Sequence, residues 1–207
     1  MKTKQLIVRY LQTNSYLIWD EKSREVIILD PGGSTNLIID QLKKLKLKPK
    51  LILATHGHTD HISVVAELKS ILNIPFWFPE EDLFLLKRSK KLAPYWAGFK
   101  SSPPPSVDKF VKKGDLFKLG RKELKTIGTP GHTPGGLSYY CKGALFSGDI
   151  IFANGIGRSD FSYFSERQII ASLKKLLLLP PRTIIYPGHG PVTTINKERE
   201  NLSFLFD

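Results

Sequence analysis

Short apolar runs separated by polar and turn residues open the chain. Lys4–Arg9, Ser15–Trp19 and Glu25–Leu29 are rich in β-branched and aromatic residues, which predicts three strands of an antiparallel meander. Asp30-Pro31-Gly32-Gly33 stops the third run. Beyond it Leu37, Ile38, Leu42 and Leu45 recur at helical spacing, and Ser34 stands where a capping side chain would. Leu51–Ala54 reads as a short buried strand. After a histidine-rich segment, an amphipathic helix over 62–72 should turn Val64, Val65, Leu68, Ile71 and Leu72 inward, and a further helix is expected over Glu80–Lys87.

Residues 89–108 carry Pro94, Gly98, Pro103–Pro105 and several serines and read as a loop. Its Tyr95, Trp96 and Phe99 are expected to pack on the core, a hydrophobic lid being the alternative. Strands resume at Leu116–Leu119, Glu123–Ile127, Leu137–Cys141 and Ala144–Phe146. A helix over Ser165–Leu178, a strand at Thr183–Tyr186 and a short helix from Asn196 complete the chain. No βαβ alternation with a dinucleotide loop and no short-period repeat is present. The pattern by itself establishes a mixed α/β chain. Two sheets with helices on their outer faces, in one domain over residues 1–207, fit the order of elements.

Composition changes this picture little. The apolar share of 41% and charged share of 24% are those of an ordinary globular protein. No apolar run is long enough to span a bilayer, and the N-terminal segment lacks the apolar stretch of a signal peptide. With Cys141 as the only cysteine, there is no disulfide framework, and the expected location is the cytoplasm. The net charge of +12 invites a nucleic-acid partner. The lysines are nevertheless spread along the chain without interleaved aromatics, so a solvated surface is the favoured reading.

The histidines do change the picture. All five lie just after a predicted strand, in loops bounded by Gly or Pro: His56, His58 and His61 in Thr55-His56-Gly57-His58-Thr59-Asp60-His61, His132 in Pro130-Gly131-His132-Thr133-Pro134, and His189 in Pro187-Gly188-His189-Gly190-Pro191. Two residues apart in extended chain, His56 and His58 can point the same way. Asp60 and His61 can turn toward a second point, and Asp149 ends another buried strand. Imidazoles and carboxylates suit zinc, iron or manganese, and a carboxylate can bridge two such ions. Seven candidate ligands are too many for a closed structural site, which needs four.

These motifs, together with Leu29-Asp30-Pro31-Gly32-Gly33, Ser147-Gly148-Asp149 and Gly157-Arg158-Ser159-Asp160-Phe161, resemble the metallo-β-lactamase superfamily. Within it they resemble the glyoxalase II (hydroxyacylglutathione hydrolase)-like group. The resemblance implies a four-layer αββα sandwich with the site at one edge, and two divalent metal ions, zinc first, with iron or manganese as alternatives. His56, His58 and His132 would hold the first ion; Asp60, His61 and His189 the second; Asp149 would bridge. Asp30, Thr55 and Thr133 would orient these ligands. The chain ends at Asp207, too soon after His189 for the C-terminal helical domain of larger glyoxalase II enzymes, and so looks like the short relatives.

If every histidine is a ligand, none is left as a general acid. A thiol, with a pKa of about 8.5, leaves without one, so a small-molecule acyl thioester of the S-lactoylglutathione type is the expected substrate. A poorer leaving group would need a proton, with Asp60 as the catalytic donor. Arg158 is expected to meet a substrate carboxylate, or else to pair with Asp160. The competing activities are a metal-dependent nuclease, a persulfide dioxygenase and a promiscuous hydrolase with weak β-lactamase activity.

Overall fold

The computed structural model describes residues 1–8, 11–92, 104–158 and 160–205. Its two six-stranded sheets are each hydrophobic for a reason visible in strand alternation. The first runs β1 (Lys2–Val8), β2 (Thr13–Trp19), β3 (Glu25–Leu29), β4 (Lys48–Leu53), β5 (Phe76–Pro79) and β6 (Lys109–Val111), adjacent in that order. The meander β1–β2–β3 is antiparallel, and β3 to β6 are parallel. In the second sheet the order is β14 (Thr193–Thr194), β13 (Ile184–Pro187), β10 (Ala144–Gly148), β9 (Leu137–Cys141), β8 (Lys122–Gly128) and β7 (Leu116–Leu119). Only its β10–β13 pair is parallel.

Every residue of β2 is buried, because the strand has a core on each face. Tyr16 and Ile18, with Ile27, Leu29, Leu51 and Leu53, meet Phe117, Leu124, Leu137, Tyr139 and Phe146 of the other sheet. The alternate residues Leu17, Trp19, Val26, Ile28 and Ile52 face outward, onto Ile38 and Leu42 of α1 (Thr35–Lys44) and Val65 and Leu68 of α3 (Val65–Leu72). On the far side of the second sheet, Leu145 and Ile185 are covered by Ile169, Leu173, Leu176 and Leu177 of α5 (Glu166–Leu177) and Ile195 of α6 (Ile195–Asn201). The result is the expected αββα order of layers. No helix among the described residues is long and apolar enough to cross a membrane.

Glu25–Leu29, Leu116–Leu119 and Leu137–Cys141 are strands with the expected bounds. Other expectations need correction. Ser34 does not cap α1 with its side chain: its φ of 59° and ψ of 55° differ from the extended conformation that aims a hydroxyl at the first turn. The helix expected over 62–72 is broken into α2 (Thr59–Ile62) and α3, because the Val64 N–H bonds the Pro31 carbonyl and leaves the helical ladder. Ile71, at the rim of the α3 stripe, is 55% exposed. The helix expected from Glu80 begins as a 3₁₀ turn, Glu80–Asp82, and continues as α4 (Leu83–Leu92). Strands β5, β6, β14 and the hairpin β11 (Ile151–Phe152) and β12 (Gly155–Ile156) were not visible in the pattern. Arg9, Tyr95, Trp96 and Phe99 lie outside the described residues.

Leu29 is fully buried between the sheets, one residue before Asp30. Leu29→Ala should destabilise the protein by about 2–5 kcal/mol, the sum of lost transfer energy and an unfilled cavity. Denaturant unfolding with an unchanged m-value checks it; a loss below about 1 kcal/mol would mean that the two sheets close over the gap.

Candidate metal centre

The C-terminal ends of β3, β4, β10 and β13 carry Asp30, the 55–58 loop, Asp149 and His189, and these meet the 129–136 loop at one edge of the sandwich. Two parallel pairs, one per sheet, thus present their ends to a common space. Chain hydrogen bonds close it: the Leu137 N–H donates to the Thr55 carbonyl at 2.9 Å, and the Gly188 N–H to the Gly148 carbonyl at 2.9 Å.

The seven expected ligands come together. His56, His58 and His132 have nitrogens in one group, with His58 Nδ1 3.0 Å from His56 Nε2 and 3.0 Å from His132 Nε2. Asp60, His61 and His189 form a second group, with Asp60 Oδ2 3.2 Å from His189 Nε2 and 3.5 Å from His61 Nε2. Asp149 stands between them: its Oδ1 is 3.4 Å from His61 Nε2, and its Oδ2 is 3.7 Å from His132 and 3.5 Å from His189. All of these inward atoms belong to side chains that are largely or wholly removed from water.

Each imidazole is fixed by its other nitrogen. The His132 Nδ1 donates to the Arg158 carbonyl at 3.0 Å and the His189 Nδ1 to the Leu11 carbonyl at 3.1 Å. A carbonyl can only accept, so in the neutral ring the inward Nε2 keeps its lone pair. The His61 Nδ1 lies 3.1 Å from Asp30 Oδ2. Thr55 donates its hydroxyl to that same oxygen at 2.7 Å, which leaves its own oxygen to accept from His56 Nδ1 at 3.0 Å. The Thr55 N–H donates to Asp30 Oδ1 at 2.7 Å, so Asp30 and Thr55 stand behind two rings at once. His58 Nε2 is 2.7 Å from the Tyr163 hydroxyl. Thr133 is different: it is fully buried, and its hydroxyl makes no hydrogen bond to any of the seven.

The electrostatics divide the cluster in two. Burial, reinforced by neighbouring histidines, holds His56 well below its usual range and His58 at about 3, so both are neutral near pH 7. In the other group, burial works against charge but the carboxylates win. His61 is driven well above its usual range by Asp149 and Asp60, and His189 is raised to about 9 by its bonds to the same pair. Burial would raise Asp60, yet His61 and His189 bring it down to about 2. Asp149 is likewise held well below the carboxylate range.

This donor set fits divalent cations. Buried His61 Nε2 and Asp149 Oδ1 face each other at 3.4 Å as an ion pair without a hydrogen bond, so a cation that displaces the proton between them finds both atoms unclaimed. Among the described residues three groups have their ligand atoms within 4.8 Å of one another: His56, His58 and His132; His56, His61 and Asp149; and Asp60, His61 and His189.

A cavity of about 300 Å³ opens onto the cluster, lined by Leu11, Leu85, Phe152, Phe161, Tyr163 and Arg158. The Arg158 guanidinium meets Asp160 through two hydrogen bonds of 2.6 and 2.7 Å and lies 5.1 Å from the Phe161 ring centre. Four positioning groups escaped the sequence reading: Thr13, which donates to Asp60 at 3.1 Å; Asn14, whose amide donates to the Pro187 and Gly190 carbonyls; Asp82; and Tyr163. Each is an ordinary turn, acidic-run or aromatic residue far from the histidine motifs. Only the polar pair Thr13-Asn14, interrupting an apolar run, was a local signal.

Comparison with known proteins agrees with this geometry. The family model of the metallo-beta-lactamase superfamily matches residues 8–189. The chain is 34% identical to the hydroxyacylglutathione hydrolase GloC of Haemophilus influenzae, over 99% of this chain and 98% of that one. It is 34% identical to the probable metallo-hydrolase YqgX of Bacillus subtilis, again over 99% and 98%. Among solved structures, the di-iron-bound form of TTHA1623 superposes with a TM-score of 0.87 at 32% identity, covering 96% of this chain and 98% of the other.

The opposed shifts predict the pH dependence of the metal-free protein. His61 and His189 are both raised, so the stability they contribute is complete below about pH 6.5, and the share that His189 contributes is lost as pH rises toward about 9. His56 and His58 are both depressed, so stability is lost as pH falls below about 6.5, where the unfolded chain takes up protons first, and the share that His58 contributes is gone at about pH 3. The melting temperature of chelator-treated protein should therefore peak near pH 6.5. His189→Gln should flatten the alkaline limb and His58→Gln the acid limb. A profile unchanged by either variant would contradict the assignment.

Proposed function

The chain belongs to the metallo-beta-lactamase superfamily, whose members are in the main metal-dependent hydrolases, and on that premise we propose that it cleaves an acyl thioester of the S-lactoylglutathione type. His56, His58 and His132 would hold one divalent cation, Asp60, His61 and His189 a second, and Asp149 would bridge them. When bound, two such ions supply Lewis acidity and a water ionised near neutral pH. The observation that carries the thioester reading is that all five imidazoles have their outer nitrogens engaged and their inner nitrogens turned to the cluster.

None of them is free to protonate a leaving group. Asp60, the one other candidate acid, is held ionised by its neighbours, at about 2. Tyr163, which burial raises to about 12, keeps its proton and is already engaged with His58. A departing group must then be stable as an anion. A thiolate, with a conjugate pKa of about 8.5, meets that condition, and an amine or alkoxide does not.

The cavity supports the same class of substrate. Leu11, Leu85, Phe152 and Phe161 offer apolar contact to a compact acyl-thiol, and Arg158 is the one guanidinium or ammonium group among the described lining residues. Its pair with Asp160 is exposed on both sides, 58% and 60%, so it is worth little and is readily exchanged for a substrate carboxylate. GloC, a relative over nearly the whole chain, carries the name of an enzyme for this reaction.

Metal analysis should find about two transition-metal ions per chain after reconstitution with zinc, manganese or iron. Asp149→Ala should lose most of both, because two nearby cations are left without the carboxylate between them. Two retained ions with near-normal turnover in that variant would falsify the bridging role.

The substrate is tested by comparing S-lactoylglutathione with single-stranded RNA and DNA on one metal-replete preparation. Thioester hydrolysis should dominate, depend weakly on salt, and show a raised KM in Arg158→Ala. A nuclease using the +12 charge would instead lose affinity steeply with salt. Nucleic-acid cleavage with the higher kcat/KM, abolished in an Asp60→Ala control, would overturn the thioester assignment and make the lysines a binding face.

A further inference from the structure

Asp82 is fully buried, and no catalytic proposal above uses it. It closes the 3₁₀ turn Glu80–Asp82, between β5 and α4. One carboxylate oxygen, Oδ2, accepts the Gly57 N–H at 2.8 Å; the other, Oδ1, accepts the Gly135 N–H at 2.7 Å. Gly57 lies between His56 and His58, and Gly135 lies three residues beyond His132. A single side chain thus holds both loops that supply one half of the centre.

We propose that Asp82 is a positioning residue that sets the spacing of the His56–His58 loop against the His132 loop, and thereby the affinity of that half of the centre for its metal ion. The inference rests on the two-ion reading given above.

Three features support it. First, the contact is one that neither loop can make alone. The nitrogens of His56 and His132 each lie 3.0 Å from His58 Nδ1, yet they belong to loops of different sheets, joined near this point by the Leu137–Thr55 backbone bond and by Asp82. Second, the approach is too close for any side chain on the loops. A Cβ on Gly57 would lie 2.9 Å from Leu85 Cβ and 3.1 Å from Asp82 Cβ, and one on Gly135 would lie 2.8 Å from Asp82 Cγ. Third, the same short segment reaches His58 from its other side: Phe84 packs edge-on to Tyr163 at 5.5 Å, and the Tyr163 hydroxyl is 2.7 Å from His58 Nε2. A buried carboxylate is expensive to desolvate and is retained here with a backbone N–H on each oxygen. The Asp60, His61 and His189 group receives no contact from it and is held instead by Thr13 and by Asn14.

Asp82→Asn is the informative change, because it keeps the shape but turns an amide N–H₂ toward one of the two backbone donors. Gly135→Ala is the second variant: it leaves the carboxylate in place and drives the loop off it. Metal-free wild type and both variants are titrated with Co²⁺ against a chromophoric chelator, alongside His132→Ala and His189→Ala as markers for the two halves. Melting of the metal-free forms is followed in parallel. Wild type should bind two ions. In Asp82→Asn one ion should weaken 10–100-fold, with the cobalt absorption change seen in His132→Ala and not the one seen in His189→Ala. Gly135→Ala should do the same.

If wild type binds a single ion, the two-ion reading fails. The Asp82 proposal then stands only if Asp82→Asn weakens that ion and reproduces the spectrum of His132→Ala. No ion at all overturns both. Equal weakening of both ions, or a lowered melting temperature with unaltered affinity, would show Asp82 to be a general structural residue and would end the proposal.

Discussion

The centre depends on an arrangement that costs the polypeptide free energy when left to itself: seven polar side chains, neutral imidazoles in one half and carboxylates paired with histidines in the other, crowded together in a largely dry space. Imidazole nitrogens 3.0 Å apart in the first half would turn away from one another if they were free to rotate. They are not free, because each ring is fixed from behind. Asp30, Thr55, Tyr163 and the carbonyls of Leu11 and Arg158 take the outer nitrogens and leave the inner atoms facing the centre. This is the support that a metal-ligand shell requires from its surroundings.

The fold provides that support through strand ends. Two sheets with apolar residues on both faces pack into a four-layer body, and at the C-terminal ends of two parallel pairs the chain leaves the core with polar residues that meet the loop after β8. Asp30 shows how closely the two jobs are joined. It follows Leu29, a residue buried between the sheets, and takes a left-handed φ of 51° that turns the chain out of β3. Its carboxylate then reaches Thr55 and His61. The packing of Leu29 is thus linked, one residue later through the Asp30 carboxylate, to the orientation of the His61 ring.

The same fixing of rings decides the chemistry. If every imidazole holds a cation, as proposed, the fold gains a charge-dense centre and leaves no histidine as a general acid. The divided electrostatics, neutral at His56 and His58 and ionised around Asp60 and Asp149, place the carboxylates in one half and the uncharged donors in the other. On that reading substrate choice would fall on the leaving group and on the wall of the cavity, where Arg158 and the apolar rings stand.

Much of this was legible in the chain. Glu25–Leu29, Leu116–Leu119 and Leu137–Cys141 declare themselves as strands because a half-buried strand must alternate and a fully buried one must be continuously apolar. The five histidines declare a site because they fall in three short Gly- or Pro-bounded motifs, although His61 stands on α2 and not in a loop. Local pattern could not show that Val64 leaves the helical ladder for Pro31, nor that Phe76–Pro79 pairs with β4, since those bonds join residues distant in sequence. Nor could it show Asp82, Asn14 or Tyr163 at the site: an Asp in an acidic run, an Asn near the start of a strand and a Tyr among aromatics have no local signature of their partners. The sequence determined which groups could bind metal, because chemistry resides in side-chain type and spacing. Tertiary structure decided which lone pairs face one another, because direction is set by hydrogen bonds that only folding brings within reach.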